Sequence, residues 1–149
     1  MTGVQTCALP IWYWAFFVQL FNSQHAVSVH EVHKELCRGR DDDPLKTWAQ
    51  GNKQHFVAPD TRVVSAYQEV MNWARTQNYK ASAINEFQGV ADSWIVAYAL
   101  ANNWEVVTRE KSAPESKRRI KIPDVSAGVG VACIGPFEML RREGMSLVL

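Results

Sequence analysis

Three short stretches in the second half of the chain decide the predicted fold. They read EFQGVADSWIVAYAL at residues 86–100, WEVVTRE at residues 104–110 and KIPD at residues 121–124. An acid, Asp92, opens an apolar helix, a β-rich run follows it, and Glu110 and Asp124 come just past the carboxyl end of that run. Open α/β sheets place their sites at the carboxyl ends of their strands. The stretches therefore predict an α/β fold with a carboxylate cluster that holds a hard divalent metal.

The composition is that of an ordinary globular domain. The chain has 149 residues, of which 47% are hydrophobic and 21% charged, and this excludes a disordered or low-complexity protein. The length suffices for one domain with a substantial core. The formal net charge of +1 gives no global argument for a nucleic-acid partner. Such a partner would have to be recognised through the local distribution of charge.

The three cysteines, Cys7, Cys37 and Cys133, lie far apart and show no C-x-x-C spacing. They indicate neither a zinc site nor a disulfide framework, and a reducing cytoplasm is the predicted location. The long apolar run at residues 7–21 has no basic segment before it, is interrupted by a proline and a glutamine, and is shorter than the roughly 20 residues that cross a bilayer. We therefore expect it to belong to the core, with no membrane partner.

Hydrophobic periodicity and capping residues predict an alternation of helices and short strands. Asp43, which precedes a proline, is a predicted helix cap, and Asp60 or Thr61 is predicted to cap the helix whose apolar face starts at Val63. Ser28 and Glu31 fit a capping box at the start of another helix. Predicted helices span residues 12–21, 31–39, 44–51, 63–76, 80–87, 92–100, 125–129 and 136–143, and predicted strands span residues 55–58, 104–108, 131–134 and 145–149.

The order of these motifs resembles the PIN domain, the fold of many prokaryotic toxin ribonucleases. The resemblance rests on ADxxIVAxA at residues 91–99 and VVTRE at residues 106–110, with KIPD at residues 121–124 and FEML at residues 137–140 as in a less characterised PIN-like branch. It covers residues 12–149 and implies a single three-layer α/β domain with a mostly parallel central sheet. It also implies a ribonuclease that depends on Mg²⁺ or Mn²⁺, has RNA as its substrate and is paired with a small antitoxin protein. A homodimer is a further expected assembly.

Residues 1–11 resemble the translated read-through of a common sequencing-library adapter. The natural sequence is then expected to begin near Trp12. A PIN domain opens with a central strand that carries its first catalytic Asp, whereas the first acidic residue here is Glu31. The resemblance therefore implies that the sheet lacks its first strand and that this chain is inactive or nearly so.

The resemblance implies four candidate catalytic residues, Glu35, Asp92, Glu110 and Asp124, of which Glu35, Asp92 and Asp124 are the candidate metal ligands. Each also has a structural interpretation. Glu35 fits a solvated charge on a helix face, and Glu110 fits a surface charge. Asp92 and Asp124 stand where helix N-caps are expected. The residues alone leave both interpretations open.

A basic segment runs from residue 109 to residue 121. It holds six cations against two acids, a local excess of four positive charges. A solvated loop is one interpretation. The alternative is a surface for a polyanion, because Lys and Arg neutralise phosphates without reading sequence. The predicted nucleic-acid-binding residues are Arg109, Lys111, Lys117, Arg118, Arg119 and Lys121.

The predicted chemistry follows from charge. Carboxylates held together raise one another's pKa unless a cation binds, and a metal-bound water hydrolyses a phosphodiester without a side-chain nucleophile. The chain has neither a Gly-rich phosphate loop nor a Gly-x-Ser-x-Gly elbow, which argues against a nucleotide-triphosphate enzyme and a serine hydrolase. Two rivals remain: a non-catalytic RNA- or protein-binding module with a PIN-like fold, and a plain structural domain whose acids are caps or surface charges.

Overall fold

The structure is a computed structural model that describes the backbone of residues 11–144 and the side chains of residues 15–144. Its α-helices are α1 (Ile11–Asn22), α2 (His30–Cys37), α3 (Pro44–Gly51), α4 (Thr61–Thr76), α5 (Ala81–Gly89), α6 (Ala91–Asn102), α7 (Ile122–Val129) and α8 (Pro136–Arg142). Its strands are β1 (Ser28–Val29), β2 (Phe56–Val57), β3 (Val106–Val107) and β4 (Cys133–Ile134). The predicted strand at 145–149 lies outside the described residues, and so do residues 1–10 of the adapter-like segment.

Two small parallel sheets lie among the helices. β1 pairs with β2, and β3 pairs with β4. The register places Ser28 opposite Phe56 and Val106 opposite Cys133. The mixed α/β class predicted from the sequence is thereby confirmed. A single, mostly parallel central sheet stays a prediction, because residues 11–144 hold two separate pairs of strands.

The main core forms where α4 packs against α6. In α4, Val63, Ala66, Val70 and Ala74 recur at spacings of three and four residues, which turns one stripe of the helix inward. Helix α6 is buried on several sides, as its nearly continuous apolar sequence requires. This packing fixes the start of α6, and with it Asp92, relative to the rest of the fold.

Helix α7 approaches α4 closely at Gly128. A Cβ atom at this position would overlap the indole ring of Trp73. The glycine that lowers the helix propensity of this segment is therefore required by packing. Helix α7 ends at Gly130, whose φ of 78° is in the left-handed region that glycine adopts readily.

Two predicted helix caps are confirmed. The Asp43 carboxylate accepts a hydrogen bond from the backbone N–H of Leu45 at 2.8 Å. The Asp60 carboxylate accepts one from the N–H of Val63 at 2.9 Å. Both hydrogen bonds join residues two or three positions apart, so the residue type and its place before the helix suffice to predict them.

The predicted capping box at Ser28 and Glu31 is wrong. Helix α2 begins at His30 after Val29, and no side chain caps it. The reason is that Ser28 and Val29 pair in β1, so the strand runs directly into the helix. One carboxylate oxygen of Glu31 is instead buried without a hydrogen-bond partner among the described residues.

Helices α1 and α8 form a second, smaller apolar cluster. Leu20, Met139 and Leu140 are buried in it, and Phe16 and Phe17 pack against them. The predicted helices at the two ends of the chain are confirmed here, with bounds that differ by one residue. Within the described part of the chain, no helix combines the length and the apolar character that a membrane crossing requires.

Candidate functional site

The four candidate acids come from four separate parts of the fold. Glu35 lies in α2, Asp92 lies in the first turn of α6, and Glu110 follows β3. Asp124 lies in the first turn of α7. The N-cap position of α6 is Val90, so the structural interpretation of Asp92 as that cap is wrong. Asp92 is free of the capping role that its position in the sequence suggested.

The half-buried carboxylate of Asp92 lies where acidic side chains influence one another. Burial raises its pKa above the ordinary 3.8, and the nearby charges of Glu110 and Glu35 raise it further. The charges of Arg119 and Lys121 act in the opposite direction and lower it. The net effect is a raised pKa, which means that the ionised form of Asp92 is disfavoured in the folded chain. A bound cation would relieve this penalty.

Glu35 makes a long-range contact to the start of α6. Its Oε1 atom accepts a hydrogen bond from the backbone N–H of Ala91 at 2.8 Å. Ala91 is the first residue of α6, so this N–H is one of the donors that a helix start leaves unpaired. Glu35 therefore caps a helix that is 56 residues away in sequence. Glu35 is exposed, so it is a solvated charge on a helix face, as one interpretation predicted, and it is also an acceptor for a distant helix start.

Glu110 likewise binds the start of a helix. Its Oε2 accepts a hydrogen bond from the N–H of Ile122, the first residue of α7, at 2.9 Å. Its Oε1 accepts one from Lys121 Nζ at 3.0 Å and lies 4.0 Å from Arg119. The side chain is 22% exposed, so Glu110 is not merely a surface charge. The Thr108 hydroxyl accepts a hydrogen bond from the Glu110 N–H at 3.0 Å and holds the turn after β3.

Asp124 is held by the basic segment. Its two carboxylate oxygens accept hydrogen bonds from the Ser112 hydroxyl and, at 3.0 Å, from the Ala113 N–H. The N-cap position of α7 is Lys121, so Asp124 is not the predicted helix cap. Burial raises the pKa of Tyr79, and the charge of Asp124 adds to this effect. The acids whose charges raise the pKa of Asp92 are therefore Glu110 and Glu35. Asp124 instead contacts the basic segment at residues 112 and 113.

The six basic residues divide into two groups. Arg119 and Lys121 face Glu110, as described, and Lys117 Nζ lies 5.4 Å from the centre of the Tyr79 ring. The backbone of the segment is also held, because the Lys117 carbonyl accepts a hydrogen bond from the Lys80 N–H at 2.9 Å. Five of the six are exposed, all but Lys121. The members that none of these contacts holds are Arg109, Lys111 and Arg118.

A small cavity of about 40 Å³ adjoins Asp92. Glu86 and Arg119 line it together with the apolar Phe87 and Ile120. A cavity of this size has room for water. The sequence did not predict Glu86 as a site residue. It lies near the end of α5, three residues before Gly89, where no motif distinguishes it from an ordinary helical glutamate.

The described side chains do not by themselves complete a metal centre. Among residues 15–144, no three His, Cys, Asp or Glu side chains form a group that could hold a metal ion. The donor chemistry around Asp92 nevertheless matches a hard divalent ion, because Glu35, Asp92 and Glu110 offer carboxylate oxygens.

A family model described as "Domain of unknown function (DUF4411)" matches residues 7–147, and the chain belongs to this family. Searches of curated proteins and of solved structures found no match.

Proposed function

We propose that this chain has a PIN-like fold and is a metal-dependent endoribonuclease whose activity is impaired. The observation that carries the proposal is the arrangement of the acids: Glu35 accepts a hydrogen bond at the start of α6, where Asp92 lies half-buried in the first turn, and Glu110 is the other acid whose charge acts on Asp92. In keeping with this arrangement the pKa of Asp92 is raised, against the opposing charges of Arg119 and Lys121. A perturbed acid with like-charged neighbours is typical of functional sites. By resemblance to the toxin ribonucleases, the proposal includes RNA as substrate and a small antitoxin protein as partner.

Of the candidate metal ligands, Glu35 and Asp92 would offer carboxylate oxygens to Mg²⁺ or Mn²⁺, and Glu110 would add a further one because its charge acts on Asp92. Asp124, the third candidate ligand, accepts hydrogen bonds from Ser112 and Ala113. When bound, such an ion supplies an activated water and stabilises the charge that develops on a phosphodiester. The hydrogen bonds from Ala91 to Glu35 and from Ile122 to Glu110 orient two of these carboxylates and leave further lone pairs on each. Impaired activity is expected because the resemblance implies that the first strand and its catalytic Asp are missing. Among residues 15–144, moreover, no three His, Cys, Asp or Glu side chains form a group that could hold a metal ion.

The exposed cations would bind the phosphates of the substrate. Arg109, Lys111 and Arg118 are exposed on the segment that also carries the partners of Glu110. Contacts of this kind contribute affinity and position without sequence preference. Lys121 and Arg119, which face Glu110, would instead hold that carboxylate in place.

A second function is favoured by the structural contacts of the acids. Glu35 and Glu110 each accept a hydrogen bond from a helix start, and Asp124 accepts two from residues 112 and 113. Acids whose role is to make these structural contacts fit a non-catalytic RNA- or protein-binding module, in which the basic segment would bind the partner. Dependence on metal discriminates between the two proposals.

The test is a titration of the purified chain with Mn²⁺ in the presence of labelled single-stranded RNA. We expect Mn²⁺ to raise both the thermal midpoint and the RNA affinity, with slow or no cleavage, and we expect Asp92→Asn to remove these effects. Asp42→Asn is the matched control, because the Asp42 side chain is 70% exposed and pairs with Arg40. If Mn²⁺ changes neither stability nor affinity, the nuclease proposal is rejected and the binding module is retained.

A further inference from the structure

The two cations that face Glu110 are held to different degrees. Lys121 Nζ donates a hydrogen bond to Glu110 Oε1 at 3.0 Å, and its side chain is 25% exposed. The Arg119 guanidinium comes only to 4.0 Å from the same oxygen, which is beyond hydrogen-bond distance, and its side chain is 45% exposed. Lys121 is therefore bound to Glu110, whereas Arg119 is attracted to it by charge alone.

The hydrogen-bond donors of Arg119 are unused. A guanidinium carries several N–H donors in a planar fork. Within residues 15–144, this one makes the ion pair with Glu110 and no hydrogen bond. The backbone beside it is fixed, because Ile120 is 3% exposed and the Ile122 N–H donates to Glu110. The side chain can thus turn to another acceptor without a change in the fold.

Arg119 faces several acids at once. It lines the small cavity beside Asp92 together with Glu86, and its charge acts on Asp92 as well as on Glu110. Carboxylates that lie near one another repel unless a cation is close to them. In the metal-free chain, Arg119 is therefore a counterion for this group of acids.

A divalent cation beside Asp92 would serve the same acids. Two cations at one group of carboxylates repel each other, so the presence of either weakens the binding of the other. This effect is reciprocal: the factor by which Arg119 weakens metal binding equals the factor by which bound metal weakens the hold of the acids on Arg119. The hydrogen bond of Lys121 to Glu110 opposes such a release, whereas Arg119 has no hydrogen bond to break.

We propose that Arg119 is the internal counterion of the acids around Asp92 and exchanges them for a phosphate of the substrate when a divalent cation binds there. The inference rests on the proposed function, and it names the residue through which the metal would strengthen RNA binding. A released guanidinium offers parallel N–H donors that bind two oxygens of one phosphate. Arg119 is thus a positioning residue whose contact with RNA depends on the metal.

The first experiment measures Mn²⁺ binding to the full chain by electron paramagnetic resonance of the free ion. We expect Arg119→Gln to bind Mn²⁺ about five- to tenfold more tightly than the wild type, because a competing charge has been removed. Arg119→Lys keeps the charge and should bind as the wild type does. Arg118→Gln is the matched control, since it removes the exposed neighbouring cation and should leave Mn²⁺ affinity unchanged.

The second experiment measures the affinity for single-stranded RNA as a function of salt, with Mn²⁺ and with a chelator. We expect Arg119→Gln to lower the slope of log affinity against log salt by about one in Mn²⁺ and to leave it unchanged in the chelator. Arg118→Gln should lower the slope in both conditions. Thermal midpoints check that each version is folded, and Arg119→Met takes the place of Arg119→Gln if the latter does not fold.

Equal Mn²⁺ affinity in the wild type and in Arg119→Gln would overturn the inference while the metal site stands. Tightening in Arg119→Lys as large as in Arg119→Gln would overturn it too, because charge would then not be the cause, and so would a slope that Arg119→Gln lowers equally in both conditions. If none of the versions binds Mn²⁺, the nuclease function itself is rejected and the inference falls with it. Mn²⁺ binding by Arg119→Gln alone supports the inference, since Arg119 would then close the site in the wild type.

Discussion

Replacing Glu35 separates its structural role from a role as a metal ligand. Glu35→Ala removes the acceptor for the Ala91 N–H, and Ala91 is 2% exposed, so water does not readily replace the lost bond. The loss of a helix-cap acceptor costs about 1 kcal/mol, and a charged acceptor is at the upper end of this range. Loss of the repulsion with Asp92 acts in the opposite direction. We expect a net destabilisation of about 1 kcal/mol, or roughly 2–4 °C in the thermal midpoint.

The matched substitution is Glu35→Gln, which keeps an acceptor oxygen and removes the charge. Its expected stability is equal to or above that of the wild type at pH 7, measured by urea denaturation with a metal chelator present. Glu69→Ala serves as a control for the loss of an exposed helical glutamate, because Glu69 lies on the exposed face of α4. The reasoning is refuted if Glu35→Ala unfolds at the same urea concentration as the wild type, or if the Ala and Gln variants are destabilised equally.

Three further predictions concern charge and packing. Because the folded-state pKa of Asp92 is raised, its ionisation costs stability as the pH rises from the unfolded value of 3.8 through the folded value. Asp92→Asn should therefore stabilise the metal-free chain at pH 7 and have little effect near about pH 3, as urea midpoints would show. Gly128→Ala should destabilise by about 1–3 kcal/mol because of the overlap with Trp73, and a smaller side chain at position 73 should restore part of the loss. Removing Arg109 or Arg118 should lower the slope of log RNA affinity against log salt by about 1 each, with a fluorescent oligonucleotide as reporter.

The parts of the fold that depend on neighbouring residues were predictable from the sequence. The caps Asp43 and Asp60 bind backbone groups two and three residues away, and the inward stripe of α4 follows from helical periodicity. The capping box at Ser28 failed because strand pairing with β2, 28 residues further on, took precedence over a local hydrogen bond. Local sequence patterns predict which helices and strands form, whereas contacts between elements that are distant in sequence determine where a helix such as α2 begins.

The site was less predictable because its contacts are long-range. The order of motifs singled out Glu35, Asp92 and Glu110, but nothing near Glu35 in the sequence indicates that it binds the start of α6. In the same way, the N-cap preference that suggested a role for Asp124 could not reveal that Glu110 occupies that helix start. A carboxylate that arrives from another element can replace a cap without leaving a signature in the helix that it serves.

The double contact of Glu110 has a consequence for how this protein can be altered. One side chain joins residue 110 to residues 121 and 122, so the ends of the intervening segment are fastened to each other whatever lies between them. The entropy of closing such a loop grows only slowly with its length. The exposed positions between the two ends, such as Lys111 and Arg118, can thus be exchanged for other basic or aromatic residues, which would change which polyanion is bound. Ser112, Ala113 and the buried Ile120 have to stay, because they join the segment to the rest of the domain.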